Sequence, residues 1–184
     1  MRDKETIQTS KFLSLILRHE PERVGLKLGE GGWVRVEELL RAVNQNGKTL
    51  TLERLKEIVA TSDKQRFAFS EDGQCIRANQ GHSVKVDLQY TPQVPPEILY
   101  HGTATRHFDG IRKHGLQKMD RHDVHLSANT TAAVQVGGRH GKPVILTIRA
   151  GEMHCAGFEF RCSANGVWLV DHVPAQYIEF PEGR

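Results

Sequence analysis

The chain has 184 residues, of which 38% are hydrophobic and 26% charged, values of a folded globular protein that exclude intrinsic disorder. This length allows one large domain or two small ones, each with a modest core. The net charge is only +3 and there is no basic tail. Any contact with nucleic acid must therefore come from a few placed arginines rather than from a broad basic surface.

Cysteine usage and the lack of long apolar runs indicate a cytoplasmic protein. Cys75, Cys155 and Cys162 form an odd set without pair spacing, which fits a reducing compartment better than a disulfide scaffold. Their spacing matches no common zinc clasp, so we predict no metal site. No apolar run approaches the roughly 20 residues of a membrane span, and we expect no membrane contact.

In the first half of the chain, the pattern predicts helices followed by a small hairpin. A buried helix is expected from Lys11 to His19, since apolar residues cluster there and a proline soon follows. A glycine turn leads into a short strand and a helix over residues 31–40, and a second helix is predicted from about Leu52 to Ala60. Residues 67–78 should form a hairpin whose return strand lies near 74–78. This order is typical of a winged-helix module, which serves nucleic-acid binding in many proteins and only protein contacts in others.

Three prolines within residues 92–96 exclude a helix or a central strand and predict a linker. We therefore expect a winged-helix-like lobe at residues 1–90, a proline-rich linker at 91–96 and a second lobe at 97–184. Strand and helix signals alternate in the second lobe, which predicts an α+β domain. No glycine-rich dinucleotide fingerprint follows a strand, which disfavours a doubly wound nucleotide fold. The predicted strands are Ile98 to His101, Val124 to Ser127, Val144 to Ile148, Val167 to Val170 and Tyr177 to Phe180, and the predicted helices are Thr105 to His114, closed by Gly115, and Thr130 to Gly137.

The run from Ile98 into His101, Gly102 and Thr103 has the composition of an edge that binds a ligand. Glycine lets a flat ligand approach the main chain, and threonine offers a donor and an acceptor. An ordinary strand exit explains the same residues, so the run alone assigns no function.

Arg18, Arg66 and Arg139 stand in settings suited to phosphate, and His19 adjoins the first of them. A guanidinium makes paired, charge-assisted hydrogen bonds to phosphate oxygens and keeps its proton. Each arginine also has a structural interpretation, as a cation at a helix end, a solvated residue before a strand, or part of a glycine-rich turn.

Several segments in order along most of the chain resemble one known family, and so many matches make coincidence improbable. The segments are Ser10 to Pro21, Gly32 to Val34, Lys64 to Phe67, Ala78 to Ser83, Leu99 to Thr103, Val124 to Ser127 and Gly138 to Pro143. The chain resembles the RNA 2′-phosphotransferases, also called tRNA 2′-phosphotransferases, which belong to the wider ADP-ribosyltransferase fold. The resemblance implies an amino-terminal winged-helix RNA lobe followed by an ADP-ribosyltransferase-like mixed α+β lobe that binds NAD.

The resemblance also implies the residues that carry the chemistry. Catalysis would fall to Arg18, His19, Arg66 and Arg139, and NAD binding to His101, Gly102, Thr103, His125 and Ser127. Among the four catalytic candidates only His19 exchanges a proton near neutral pH, so we expect it to be a general acid toward the departing RNA oxygen.

The implied reaction consumes NAD as a cosubstrate and needs no metal. An internal 2′-phosphate on RNA, of the kind left at a tRNA splice junction, attacks the anomeric carbon of the NAD ribose and expels nicotinamide. The ribose 2″-hydroxyl then attacks the phosphorus, which releases RNA with a free 2′-hydroxyl and ADP-ribose 1″,2″-cyclic phosphate. The expected partners are RNA bearing an internal 2′-phosphate and NAD, and we expect a monomer.

The third signature strand of the fold differs from its usual form in this chain. Many ADP-ribosyltransferases that modify proteins place a glutamate at the start of the strand that corresponds to residues 166–170. In this chain residues 166–170 contain no acidic residue, and the next one is Asp171. A phosphate nucleophile is already anionic and needs no base, and a neighbouring carboxylate would repel it. We therefore interpret the missing glutamate as suited to a phosphate nucleophile.

Two other functions remain open. The protein could be an ADP-ribosyltransferase that caps a terminal phosphate of RNA or DNA and stops after the first step, or a non-catalytic winged-helix RNA-binding module. A phosphotransferase removes the phosphate from the strand, whereas the capping enzyme leaves an ADP-ribosylated phosphate on it. Both enzymes release nicotinamide, whereas the binding module does not. Among smaller candidates, His82 either contacts substrate or only packs at the lobe interface, while Trp33 and Trp168 are expected to pack rather than to stack on bases.

Overall fold

Two units make up the chain, Met1–Gln89 and Tyr90–Arg184. The computed structural model describes residues 4–62, 64–137 and 143–181. Together these residues form a mixed α+β protein with several sheets, which confirms the predicted α+β class. Among them, no helix is long and apolar enough to cross a membrane.

The first unit combines helices with a small antiparallel sheet in the strand order β1-β3-β2. Its helices are α1 (Lys4–Arg18), α2 (Val36–Gln45) and α3 (Leu52–Ala60), and its strands are β1 (Val34–Arg35), β2 (Phe67–Phe69) and β3 (Cys75–Ala78). Strands β2 and β3 form the predicted hairpin, with Phe67 opposite Ala78 and Phe69 opposite Ile76. Thr51 caps α3, since its Oγ1 accepts a hydrogen bond of 3.2 Å from the Arg54 amide.

Helix α1 is longer at its start than the sequence pattern predicts, because it begins at Lys4 rather than Lys11 and ends at Arg18 rather than His19. The extra turns are polar and lack the apolar periodicity on which the prediction depended. The apolar stripe itself is buried as expected, with Leu13, Ile16 and Leu17 completely inaccessible to solvent. They join Leu39, Leu55, Ile58 and Ile76 in one core cluster.

The second unit is built on a six-stranded antiparallel sheet in the order β11-β7-β4-β6-β9-β8, with a separate β10-β5 pair. Its strands are β4 (Ile98–Ala104), β5 (Leu116–Gln117), β6 (Val124–Ser127), β7 (Pro143–Arg149), β8 (Arg161–Cys162), β9 (Val167–Val170), β10 (His172–Val173) and β11 (Ile178–Glu179), and its helices are α4 (Phe108–His114), α5 (Thr130–Gly137) and α6 (Ala150–Cys155). Leu99, Leu146, Ile148, Met153 and Phe160 are fully buried in its core.

Several element boundaries in the second unit differ from the sequence-based expectation. Strand β4 continues past His101 to Ala104, because every one of its residues pairs with β7. The predicted helix over 105–114 begins as a 3-10 turn, and the α-helix starts at Phe108. The pattern missed α6 and the two-residue strands β5, β8 and β10, which are too short to show a periodicity.

The proline-rich stretch 90–96 lies within the second unit, which begins at Tyr90, and contacts the rest of that unit. The Gln93 amide donates to the Phe160 carbonyl at 2.8 Å, Pro92 forms an isolated bridge with Arg161, and the Tyr90 hydroxyl accepts from the Ala164 amide at 3.4 Å. These bonds tie the stretch to the sheet edge that β8 occupies.

Candidate active-site residues

Arg18 and Arg66 are brought together in the first unit, although they stand far apart in sequence. Arg18 is the last residue of α1, and its Nη2 donates to the Arg66 carbonyl at 3.3 Å. The guanidinium of Arg18 also lies over the Phe67 ring, 6.0 Å from its centroid. Both arginines are half-buried, and the contact joins the side chain of Arg18 to the main chain of Arg66 at the end of a helix.

The backbone at Arg66 is held by a buried side chain. Asn79 is only 2% exposed, and its Nδ2 donates to the Gln65 carbonyl at 2.6 Å. The Asn79 amide donates to the Arg66 carbonyl at 2.9 Å. Gln65 has a positive φ of 40°. Such a conformation costs energy and persists only where the surrounding structure holds it. Asn79 therefore holds the turn that presents Arg66.

His19 follows α1 directly, and its ring contacts a serine from the end of the unit. The Nδ1 atom of His19 is 2.9 Å from Ser83 Oγ, while the Ser83 amide donates to the Arg18 carbonyl at 2.9 Å. Sequence reasoning did not single out Ser83. It belongs to the segment Ala78 to Ser83 used for the resemblance, but a serine in irregular backbone has no pattern that marks it as a neighbour of His19.

His82, for which the sequence leaves two roles open, is buried within the first unit. Its side chain is 1% exposed, and a Cβ placed on Gly32 would lie 3.6 Å from its Nε2.

Trp168 packs against the core of the second unit, as predicted. Trp33 is half-buried and lies under the Arg77 guanidinium, 4.5 Å from the ring centroid.

In the second unit, His101 and His125 lie on neighbouring strands at the point where the ladder between them ends. Strand β4 pairs with β6 only at Tyr100 and Ser127. Beyond that pair, His101 Nδ1 donates to the His125 carbonyl at 3.0 Å. Since a carbonyl only accepts, Nδ1 of His101 carries a proton, and in the neutral ring Nε2 is the acceptor.

Arg121 is a candidate that sequence reasoning missed. Its Nη1 lies 3.0 Å from His125 Nδ1. Since a guanidinium only donates, Nδ1 of His125 is an acceptor and the neutral ring carries its proton on Nε2. The arginine stands in an exposed turn four residues before the histidine, a setting in which solvated arginines are common.

The remaining predicted NAD-binding residues surround the same end of the ladder but lie on both faces of the sheet. Alternation along β4 places His101 and Thr103 on one face and Gly102 on the other. Ser127 lies opposite Tyr100 and so shares a face with Gly102. Thr103 is 5% exposed.

The Thr103 hydroxyl has a histidine partner from the next turn, since its Oγ1 is 3.3 Å from His107 Nδ1. Arg106 Nε donates to His107 Nε2 at 3.0 Å, so the neutral His107 ring carries its proton on Nδ1. That proton is donated to the Thr103 hydroxyl, whose own hydrogen is then directed toward another acceptor.

Charged groups flank β6 and β9. Burial raises the pKa of the Asp123 carboxyl, against the opposing effect of Arg161, whose Nη1 lies 3.8 Å away. The hydrogen bond from Lys118 lowers the pKa of Asp171 and raises the pKa of the lysine. Among the described residues, no three His, Cys, Asp or Glu side chains are grouped to hold a metal ion.

Arg139 and Val167 are the remaining positions that the sequence analysis singled out. Arg139, the fourth predicted catalytic residue, lies outside the described residues. Val167, at the start of the strand for which the resemblance implies a missing glutamate, is directly opposite Ser127 in the β6–β9 ladder. A side chain at position 167 therefore shares a sheet face with Ser127.

Comparison with known proteins agrees with the resemblance seen in the sequence. The model of the family described as "RNA 2′-phosphotransferase, Tpt1 / KptA family" matches residues 4–172. A "Probable RNA 2′-phosphotransferase" of Nostoc punctiforme is 52% identical over 97% of this chain and 99% of its own. Proteins of the same name from Streptomyces coelicolor and Flavobacterium johnsoniae are 50% and 52% identical, over 98% and 93% of this chain and 98% and 94% of their own. The chain therefore belongs to the RNA 2′-phosphotransferase family.

Proposed function

We propose that this protein removes an internal 2′-phosphate from RNA by transferring it to the ADP-ribose part of NAD, which is consumed. The products would be RNA with a 2′-hydroxyl, nicotinamide and ADP-ribose 1″,2″-cyclic phosphate. The observation that carries the proposal is the set of contacts at the end of α1, where the Arg18 side chain bonds the Arg66 carbonyl and the next residue, His19, is able to transfer a proton.

The arginine pair supports recognition of a phosphate dianion. Arg18 and Arg66 offer guanidinium donors from two different elements, so they can engage different oxygens of one phosphoryl group. Held in place before substrate arrives, they would stabilise the charge on those oxygens while the attacking and leaving oxygens are aligned. Arg139 is proposed as a third guanidinium for the same step.

His19 supports the assignment of a general acid. Protonated His19 would give its Nε2 proton to the RNA 2′-oxygen as the bond from phosphorus to that oxygen breaks. The Nδ1 atom faces Ser83 Oγ, and we assign the proton transfer to Nε2. An imidazole suits this duty at neutral pH, where arginine cannot exchange a proton.

The histidines of the second unit support an NAD site. NAD supplies an electrophilic ribose carbon and a good leaving group, nicotinamide. Neutral His101 has an acceptor at Nε2 and neutral His125 a donor at Nε2. The two side chains lie on opposite faces of the sheet, so we propose that they contact different parts of NAD.

Four further residues complete the proposed site. Gly102 would allow close approach of NAD to the backbone. Thr103 and Ser127 are proposed to add hydroxyl contacts. Because Arg121 fixes the tautomer of His125, we add it to the proposed residues.

The proposal also covers the cellular compartment of the protein, its oligomeric state and its need for metal. The three cysteines are free, as a reducing compartment requires, and we propose a cytoplasmic protein that acts as a monomer. The chemistry assigned to the residues above uses no metal.

The experiment is a reaction of the full chain with NAD and an oligonucleotide that bears one internal 2′-phosphate, followed by mass measurement of the strand. We expect a strand with a plain 2′-hydroxyl and release of nicotinamide. A stable ADP-ribosylated strand would support the phosphate-capping alternative, and no nicotinamide release would support the non-catalytic binding module.

The variant His19→Ala tests the proposed division of labour. It should form the ADP-ribosylated strand and then accumulate it, because loss of a general acid slows its step by roughly 10²- to 10⁴-fold. His114→Ala is the matched control, since His114 is exposed in the last turn of α4. Equal loss of both steps in His19→Ala would contradict the assignment.

A further inference from the structure

We infer that Ser83 is a positioning residue that orients the His19 ring for proton transfer. The inference rests on the proposed function, in which His19 acts on the RNA 2′-oxygen. Its basis is a double contact, because both the backbone and the side chain of Ser83 meet the end of helix α1.

The first contact is a helix cap. The carbonyl of Arg18 is one of the last carbonyls of α1, which have no partner within the helix. It accepts hydrogen bonds from the amides of Ser83 at 2.9 Å and Val84 at 3.4 Å. The main chain at Ser83 is thereby fixed against the same residue that precedes His19.

The second contact is the side chain, with His19 Nδ1 at 2.9 Å from Ser83 Oγ. A serine hydroxyl can donate to Nδ1 of a neutral ring and accept from Nδ1–H of an imidazolium. It can therefore hold the ring in one orientation both before and after His19 has given up its Nε2 proton. A carboxylate could not do this for a neutral ring with an unprotonated Nδ1, because it only accepts.

The segment that carries Ser83 is anchored on both sides. On one side His82 is 1% exposed. On the other, Arg77 Nη1 donates to the Leu88 carbonyl at 3.4 Å and to the Gly31 carbonyl at 3.2 Å. Ser83 itself is exposed. An exposed hydroxyl on a fixed segment is placed before substrate arrives, which is what a positioning group requires.

Replacing the hydroxyl separates the two contacts. Ser83→Ala keeps the amide that caps α1 and removes only the partner of His19 Nδ1. A structural role for Ser83 would depend on the cap and would survive this change, whereas a positioning role would not.

The experiment measures both steps in single turnover with the 2′-phosphorylated oligonucleotide and NAD. For Ser83→Ala we expect the first step to stay within about 2-fold of the wild type and the second to slow by about 10- to 100-fold, the scale of a misplaced catalytic group. The ADP-ribosylated strand should accumulate. Ser83→Thr keeps a hydroxyl and should restore most of the second-step rate.

A spectroscopic measurement gives a second readout. The ¹⁵N chemical shifts of the His19 ring nitrogens report which nitrogen carries the proton and how strongly it is hydrogen-bonded. They should change in Ser83→Ala and return toward wild type in Ser83→Thr. Ser14→Ala is the control, because it removes another hydroxyl from the same unit, one that donates to the Ser10 carbonyl.

Three results would overturn the inference. One is a second step of unchanged rate in Ser83→Ala, another is equal slowing of both steps, and the third is failure of threonine to restore the rate. A wild-type protein that releases no nicotinamide would instead overturn the proposed function. In that case the ring shifts would still show whether Ser83 orients His19.

Discussion

At the scale of single residues, side-chain type predicted the candidates and three-dimensional contact decided their neighbours. Arg18 and His19 could be singled out because arginine and histidine have distinctive chemistry at a helix end. The contacts of Arg121 with His125 and of Ser83 with His19 could not be predicted, because exposed arginines and serines are common and carry no periodic signal. Two predictions concern individual side chains.

Arg121→Ala and Arg139→Ala are expected to fail at different steps. Without Arg121, His125 loses the donor that fixes its tautomer, so adduct formation should slow by about 10²-fold, as when a preorganised donor is removed. Without Arg139, adduct formation should persist and the adduct should build up. Single-turnover assays with mass detection separate the two.

Arg112→Ala is the control for both arginine variants, since it removes an exposed guanidinium that lies 4.5 Å from the Phe180 ring centroid in the same unit. A wild-type rate of adduct formation in Arg121→Ala would remove Arg121 from the site. A wild-type rate of the second step in Arg139→Ala, with no build-up of the adduct, would remove Arg139.

Val167→Glu should slow attack by the 2′-phosphate. Position 167 pairs with Ser127, so a carboxylate there would stand beside the proposed NAD site and repel the anionic nucleophile by roughly 1 kcal/mol or more at contact distance. That is about a 5-fold or larger loss in the single-turnover rate of the first step. Val167→Gln is the isosteric control without charge, and equal rates for the two variants would count against the repulsion.

At the scale of elements, local signals were enough to predict the bounds of helices and strands where capping and periodicity agree. Helix α4 ends where Gly115 closes it, as the sequence predicts, because that residue has a φ of +72°. The predicted bounds of α3, β6 and β9 also match the structure. The two-residue strands β5, β8 and β10 could not be predicted, because their pairing depends on which strand lies beside them.

The two glycines of the α4 region should respond oppositely to alanine. A Cβ on Gly115 would lie 2.1 Å from the Val173 carbonyl oxygen, and its backbone conformation is one that essentially only glycine adopts, so Gly115→Ala should cost about 3 kcal/mol or more. Gly110 lies within the helix with nothing within 4 Å of its Cβ position, so Gly110→Ala should stabilise by up to about 1 kcal/mol. Urea unfolding measures both, and equal midpoints would refute the expectation.

At the scale of the whole molecule, the two units have separate cores. The buried hydrophobic residues of the first unit form one cluster, and most of those of the second form another. From length alone we expect one large domain or two small ones, each with a modest core, and the proline-rich linker at 91–96 stays a prediction. Which residues make up each core follows from packing.

Leu17→Ala and Leu146→Ala should therefore weaken different parts of the protein. Each leucine is fully buried, and truncation should cost about 2 to 5 kcal/mol. Hydrogen exchange should accelerate mainly in residues 4–89 for Leu17→Ala and mainly in residues 90–181 for Leu146→Ala. The same pattern of acceleration in both variants would show that the cores unfold together.

By itself, the sequence determined the α+β class, most helices and longer strands, the family, and the residue types able to bind phosphate and transfer protons. These follow from properties that each position shows locally, such as apolar periodicity, glycine and proline placement, and side-chain charge. Only the tertiary structure decided that Arg18 reaches the carbonyl of Arg66 and that His19 faces Ser83, positions 48 and 64 residues apart. Contacts over such distances depend on how helices and strands pack, because no local pattern specifies which remote residue a side chain will meet.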